Sequence, residues 1–286
     1  MIMLVKFIRN DKEQLVFGGS ISDEADWGIT EIDGLGTVEN DIKTEKCALG
    51  DGDVVTAERI ESRHIDITAN VKDKNCNEIE YSKALHFFNP KYTFEIHIYK
   101  DESKKWINSR IEAVKFKNKQ AGLPVELKIS FICVDPYFKS ENNYGKNIAA
   151  ISGLYVFPAV SVKEKGFLVG LNHFAKQVQV NNTGDTKTYC TIAIKAKGVV
   201  INPKVMIGES YIKVLTKLNE NDVIQIDMVN GKIDLNNHNC FRLLDRRSSF
   251  SDMVLNIGDN VVSFAADSGD INMDVMLYYN LQYLGV

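Results

Sequence analysis

Val125-Glu-Leu-Lys-Ile-Ser-Phe-Ile-Cys-Val-Asp-Pro-Tyr-Phe138 is the stretch on which the reading of this chain turns. Up to Cys133 its side chains alternate. Val125, Leu127, Ile129, Phe131 and Cys133 fall on one side, and Glu126, Lys128 and Ser130 on the other. A period of two marks a half-buried β-strand, because successive side chains leave opposite faces of a pleated backbone. Asp135-Pro136 ends it, since proline has no N–H to give to a ladder and biases the residue before it. The polar, turn-like Ser140-Glu-Asn-Asn-Tyr-Gly-Lys146 follows. The strand therefore closes an N-terminal domain, residues 1–139, and the turn opens a second, residues 140–286.

Working outward, the same alternation recurs. Ile65 and Ile67 mark a strand at Arg63–Thr68, and Phe94, Ile96 and Ile98 mark another at Tyr92–Tyr99. Met1–Arg9 reads as a first strand. Trp106–Phe116 fits a helix or a strand, and its neighbours favour strand. One helix is expected around Glu78–Phe88, where Ile79, Ser82/Lys83, Leu85 and Phe87/Phe88 fall near a 3.6 period and Asn89-Pro90 stops it. In the second half, strands are expected at Tyr189–Ala196, Lys204–Ile207, Tyr211–Leu215, Asp222–Val229, Lys232–Leu235, Met253–Leu255, Asn260–Phe264 and Ile271–Tyr279. Asn230-Gly231 between two of them signals a hairpin, through a type I′ turn with positive φ at both central residues. Short strands with turn signals every ~8–12 residues suggest sandwiches or barrels.

The bulk properties agree with this division. A chain of 286 residues divides naturally into two cores. A net charge of −4 without a basic block gives nucleic-acid binding little support. No apolar run approaches the ~18 residues of a membrane span. Five scattered cysteines (Cys47, Cys76, Cys133, Cys190, Cys240) contain no Cys-x-x-Cys and read as reduced thiols of a cytoplasmically made protein.

Chemistry-bearing motifs are weak. His64 and Asp66 share one face of a strand, but that face reads as its solvated, polar side. Asp51-Gly-Asp53 lacks the further oxygens and closing glutamate of a calcium loop, and reads as a turn. Asp267-Ser-Gly-Asp270 reads as another turn. Gly34-Leu-Gly36 lacks the rest of a dinucleotide loop. His64, His86, His97, His173 and His238 show no pair at metal spacing, and His238 with Cys240 stands alone. Ser248 and Ser249 have no nucleophile elbow. No catalytic, cofactor or metal residue is assigned, and the chain is expected not to be an enzyme. A lectin would need an exposed aromatic platform. Trp27 and Trp106 lie in the first half, and Tyr211, Tyr278, Tyr279 and Tyr283 in the second read mostly as core or interface residues.

The chain resembles the distal tail protein (Dit) family of long-tailed bacteriophages and prophages. The resemblance runs through Trp27-Gly-Ile-Thr-Glu-Ile-Asp-Gly34, the Arg63–Ile67 strand, Phe87-Phe-Asn-Pro-Lys-Tyr92 and, most specifically, Ile129-Ser-Phe-Ile-Cys-Val-Asp-Pro-Tyr-Phe138. Looser matches follow at Val180–Asp185, Ile201–Pro203, Leu218–Asp227, Asn230-Gly231, Leu244–Ser248 and Leu255–Asn260. It implies a mainly β fold: an N-terminal β-sandwich with one helix that forms a ring, typically a hexamer, and a C-terminal galectin-like β-sandwich. It implies a structural hub at the virion tail tip, between the tail tube and a tail-associated fibre or lysin protein, with receptor-binding components carried on the outer domains. It brings no catalytic residue. The alternative is a lectin-like protein that contacts host-surface carbohydrate, although this length leaves no room for the inserted carbohydrate-binding module of some relatives. A ring needs extended arms or open strand edges. Glu31–Ala57, rich in glycine and poor in strand patterning, is the expected arm or a loose surface loop.

Overall fold

The computed structural model describes residues 3–19, 25–47, 50–101, 103–117, 124–140, 144–147 and 177–286. The chain divides into two compact units, residues 1–141 with 282–286, and residues 142–281. The last five residues thus belong to the first unit.

The first unit contains β1 (Met3–Arg9), β2 (Gln14–Gly18), β3 (Trp27–Asp33), β4 (Asn40–Lys46), β5 (Asp53–Ile60), β6 (Arg63–Val71), α1 (Asn77–Phe87), β7 (Thr93–Lys100), β8 (Ser103–Lys117), β9 (Glu126–Cys133) and β10 (Phe138–Ser140). The second contains β11 (Tyr144–Asn147), β12 (Gln177–Asn182), β13 (Thr188–Ala196), β14 (Val200–Ile201), β15 (Lys204–Ile207), β16 (Ser210–Lys213), β17 (Lys217–Leu218), β18 (Val223–Asp227), β19 (Lys232–Leu235), β20 (His238–Asn239), β21 (Val254–Leu255), β22 (Gly258–Ala265) and β23 (Met273–Tyr279). A final strand, β24 (Gln282–Tyr283), returns to the first unit.

In the first unit, nine strands run in the order β24-β10-β8-β7-β1-β2-β3-β6-β9. The sheet also closes on itself through β8. Its Ser103–Arg110 part pairs with β7, and its Arg110–Lys117 part pairs with β9, with a register shift between Ile111 and Ala113. A bulge bends a strand, which lets one long strand serve both ends of a curled sheet. The two layers implied by the alternation are therefore walls of one continuous sheet. Trp106–Phe116, open between helix and strand in the sequence, lies inside β8.

Inward-facing rows build the core. Ile65, Ile67 and Ala69 of β6, Phe94, Ile96 and Ile98 of β7, and Leu127, Ile129, Phe131 and Cys133 of β9 are buried. Phe7 meets Phe17, Phe88 and Phe131 at ring centroid distances of 5.0, 5.3 and 5.6 Å. Helix α1 falls where expected but is rotated. It buries Glu80, Ala84 and Phe87, whereas Ile79 and Leu85 are 59% and 54% exposed. Phe87 and Phe88, locked into the aromatic cluster, fix which face of a short helix looks inward, and they override its own weak pattern.

In the second unit, one sheet runs β11-β23-β13-β18-β19-β20, with β21 joined to β13, and another runs β12-β22-β15-β16. Ile192, Ile194, Ile224, Ile226, Val275 and Leu277 are the buried row of the first, and Val180, Val205, Ile212, Val262 and Phe264 that of the second. The β18–β19 hairpin is present, but its turn is not the two-residue type I′. Asp227 pairs with Lys232 around a four-residue loop. Only Gly231 there has positive φ, 62°. The Asp227 carboxylate accepts from the amides of Val229 and Asn230, each at 3.0 Å. That local cap competes with the tight turn and wins. Tyr144–Asn147, read as part of a turn, is strand β11 paired with β23.

Candidate functional site

Of the motifs weighed for chemistry, His64, Asp66 and Gly34 meet at one cleft, and the other described ones lie elsewhere. His64 turns its Nδ1 to Glu112 Oε2 at 3.1 Å, and Asp66 faces Lys128 at 3.7 Å. A cleft of about 320 Å³ is lined by Asp33, Thr37, Glu39, Glu61, Arg63, His64 and Asp66. Among the described residues no group of three His, Cys, Asp or Glu is arranged to hold a metal ion. Asp51, Gly52 and Asp53 lie at the tip of the β4–β5 hairpin, where Cys47 N–H donates to the Gly52 carbonyl. Asp267 accepts from Lys213 Nζ at 2.7 Å and from Asn202 Nδ2 at 2.8 Å, which holds its carboxyl below the usual aspartate range. The Ser248 hydroxyl accepts from the Lys213 amide. His238 is exposed on β20, Cys240 is buried, and all five cysteines are free thiols. His173 and Gly34-Leu-Gly36 differ in fate. The histidine lies outside the described residues, whereas the glycine pair forms part of the arm root described below.

Neither tryptophan offers a bare ring. Trp27 is fully buried and stacked on Phe17 at 5.5 Å. Trp106 is half-buried, stacks on His97 at 6.0 Å and donates its indole N–H to the Ser140 carbonyl. In the second unit, Tyr278 is about one-third exposed and Tyr279 is buried.

What stands out is the segment Glu31–Ala57. Its Glu31–Asp33 part completes β3, and the rest carries a hairpin, although its strands lack a strong alternation. Among the described residues β4 and β5 pair only with each other, from Asn40↔Ile60 to Lys46↔Asp53, with a shift between Lys43 and Thr44. Every residue of both strands except Ile60 is exposed. Ile42, Val54 and Val55 are 52%, 54% and 56% exposed. Alternation records a buried face, and this hairpin has none against the described residues, so its sequence carries no such signal. A lone two-stranded hairpin is marginal in water, and each outer edge presents unpaired N–H and C=O groups to another chain.

The root of this hairpin is fixed by Arg63. The sequence put it beside the isoleucines of β6, and it shares their buried face at 2% exposure. Its guanidinium donates to the carbonyls of Pro136 (2.8 Å) and Gly36 (2.6 Å), and to those of Gly34 and Leu284. It also lies over the Phe138 ring at 4.6 Å. Burial lowers its pKa from the ordinary guanidinium value, but the rigid fork of donors stays satisfied by four main-chain oxygens. Gly34 has φ +84°, and a Cβ there would strike the His64 carbonyl, so only glycine permits the chain to leave β3 at this point.

Three comparisons bear on the whole arrangement. Residues 183–283 match the family model described as the siphovirus-type tail component, C-terminal domain. Among solved structures, the chain is similar to the Dit protein of phage SPP1, with a TM-score of 0.69, 13% identity, and 97% of this chain and 98% of that one covered. That protein is described as a paradigm of the hub adsorption apparatus in phages infecting Gram-positive bacteria. It is also similar to a chain of the phage P2 baseplate in its activated conformation, at a TM-score of 0.54 and 10% identity, with 98% of both chains covered. No curated protein matches. Residues 183–283 thus carry the siphovirus-type tail component C-terminal domain, and the chain shares the fold of the SPP1 Dit protein along nearly its whole length.

Proposed function

We propose that this protein is the structural hub at the tail tip of a siphovirus-type phage or prophage, where copies close into a ring through the β4–β5 arm. The observation that supports the reading is the arm itself: a hairpin whose two strands no other described strand pairs, on a chain with the Dit fold and a tail-component domain at residues 183–283. A closed ring gives every copy one arm to place and one surface to receive it. Covering the exposed halves of Ile42, Val54 and Val55 would supply about 1 kcal/mol each, before any strand-edge hydrogen bonds form. The tail tube on one side of the ring, a tail-associated fibre or lysin protein on the other, and receptor-binding components at the second units are the partners this role calls for. No helix among the described residues is long and apolar enough to cross a membrane.

Light scattering tests the reading. The full chain is expected at about 193 kDa, six times the 32.2 kDa monomer, and a chain lacking Asn40–Gly52 at the monomer mass with its thermal transition retained. An arm-deleted chain that still forms the ring would overturn it.

A further inference from the structure

Residues 282–286 follow the second unit in sequence yet build part of the first. β24 pairs with β10, Tyr283 opposite Phe138. Lys105 Nζ sits 4.1 Å over the Tyr283 ring and donates to the Gly285 carbonyl at 2.7 Å, and Lys100 Nζ donates to the Val286 carbonyl at 3.2 Å. The Val286 amide donates to the Leu35 carbonyl at 3.0 Å, and Arg63 binds the Leu284 carbonyl together with those of Gly34 and Gly36. Gly285 approaches so closely that an added Cβ would lie 3.0 Å from the Leu35 oxygen. Residues 34–36, from which the arm departs, are therefore held between Arg63 on one hand and residues 284–286 on the other.

From this we propose that residues 282–286 are a clasp that positions the assembly arm. A copy becomes competent to join a ring only after its chain has run through the second unit and come back to seat residues 34–36. The consequence is a quality check on assembly: a chain that stops short of residue 282, or whose second unit fails to fold and return it, presents a loose arm and is not built into the ring. Arg63 is the positioning residue of the device, since its guanidinium binds the arm root at Gly34 and Gly36, Pro136 after β9 and the returning segment at Leu284. The proposal rests on reading β4–β5 as the assembly arm.

The experiment compares the full chain with one ended at Leu281, with Gly285→Val, and with the chain lacking Asn40–Gly52. Hydrogen exchange over residues 34–39 and 60–62 reports the arm root, and light scattering over a concentration series reports the ring. The chain ended at Leu281 and Gly285→Val are expected to exchange at least tenfold faster at the root. Both should need at least tenfold more protein to assemble, while amides of β13, β18 and β23 keep full-chain protection. Unchanged exchange at the root in Gly285→Val would overturn the clasp, and that variant carries the test if the shortened chain does not fold. Loosened roots with undiminished assembly would overturn its role in assembly. Loss of the ring on arm deletion, with wild-type assembly of the chain ended at Leu281, would refute the clasp while leaving the arm in place. Unimpaired assembly without the arm would instead refute the arm reading, and the exchange data would still decide whether residues 282–286 hold the root.

Discussion

Replacing Arg63 by alanine should be among the most damaging single changes outside the aromatic core. Four main-chain carbonyls, at Gly34, Gly36, Pro136 and Leu284, lose their charged donor together. A hydrogen bond to a charged group contributes roughly 1.5–3 kcal/mol, which gives an upper limit well above any plausible net effect. Two terms reduce it. The guanidinium no longer bears its desolvation, which in the native protein is large enough to lower its pKa. Water can also enter the vacated space and solvate some of the carbonyls. Taking about 1 kcal/mol for each orphaned carbonyl, and setting the few tenths to 1 for the stacking on Phe138 against the relieved desolvation, the loss comes to about 4 kcal/mol. For a unit of about 150 residues that corresponds to a fall of roughly 8–16 °C in Tm. Arg63→Lys keeps the charge but not the planar fork, and cannot reach four acceptors on three segments, so about half of the loss should remain. Differential scanning calorimetry on the full chain would measure both, with the transition of the second unit as internal reference. A change below about 1 kcal/mol for the alanine variant would mean that the carbonyls do not need the arginine, and the account of the arm root would fail.

Phe131→Ala removes a fully buried ring stacked on Phe7 and touching Phe88 and Phe94, and should cost about 3–5 kcal/mol by chemical denaturation. Thiol labelling of the native chain near pH 8 should modify Cys47 and Cys76, both partly exposed, and spare Cys133 and Cys190, whose pKa values burial pushes up to about 12; mass spectrometry of the labelled peptides reads the order. Asp267, held below the usual aspartate range by hydrogen bonds from Lys213 and then Asn202, adds stability that is fully present above the unfolded aspartate pKa and is lost as pH falls through the lower folded value. Asp267→Asn should therefore flatten the acid limb of the second unit's stability profile, and an unaltered limb would contradict the assignment.

Most strands of both halves could be located in advance because each has one face buried by its own unit. Lys204–Ile207 and Lys232–Leu235 agree residue for residue with the strands observed. The orientation of α1 could not be read, because Phe87 and Phe88 answer to the ring cluster formed by β1, β7 and β9, and the helix follows them. The turn after Asp227 was misjudged because a side-chain cap from one residue outside the Asn-Gly pair decided it.

The amino-acid order alone determined a β-rich chain in two parts, since alternation and turn residues act over a few neighbours and leave a local record. It also carried enough of the distal tail pattern to indicate a structural role. Tertiary structure alone decided that β8 closes the first sheet, that Asn40–Ile60 forms a hairpin no other described strand pairs, and that Arg63 gathers carbonyls from positions 34, 36, 136 and 284. Those features depend on contacts between residues distant along the chain, or on a surface that none of the described residues covers, and neither leaves a periodic trace in sequence.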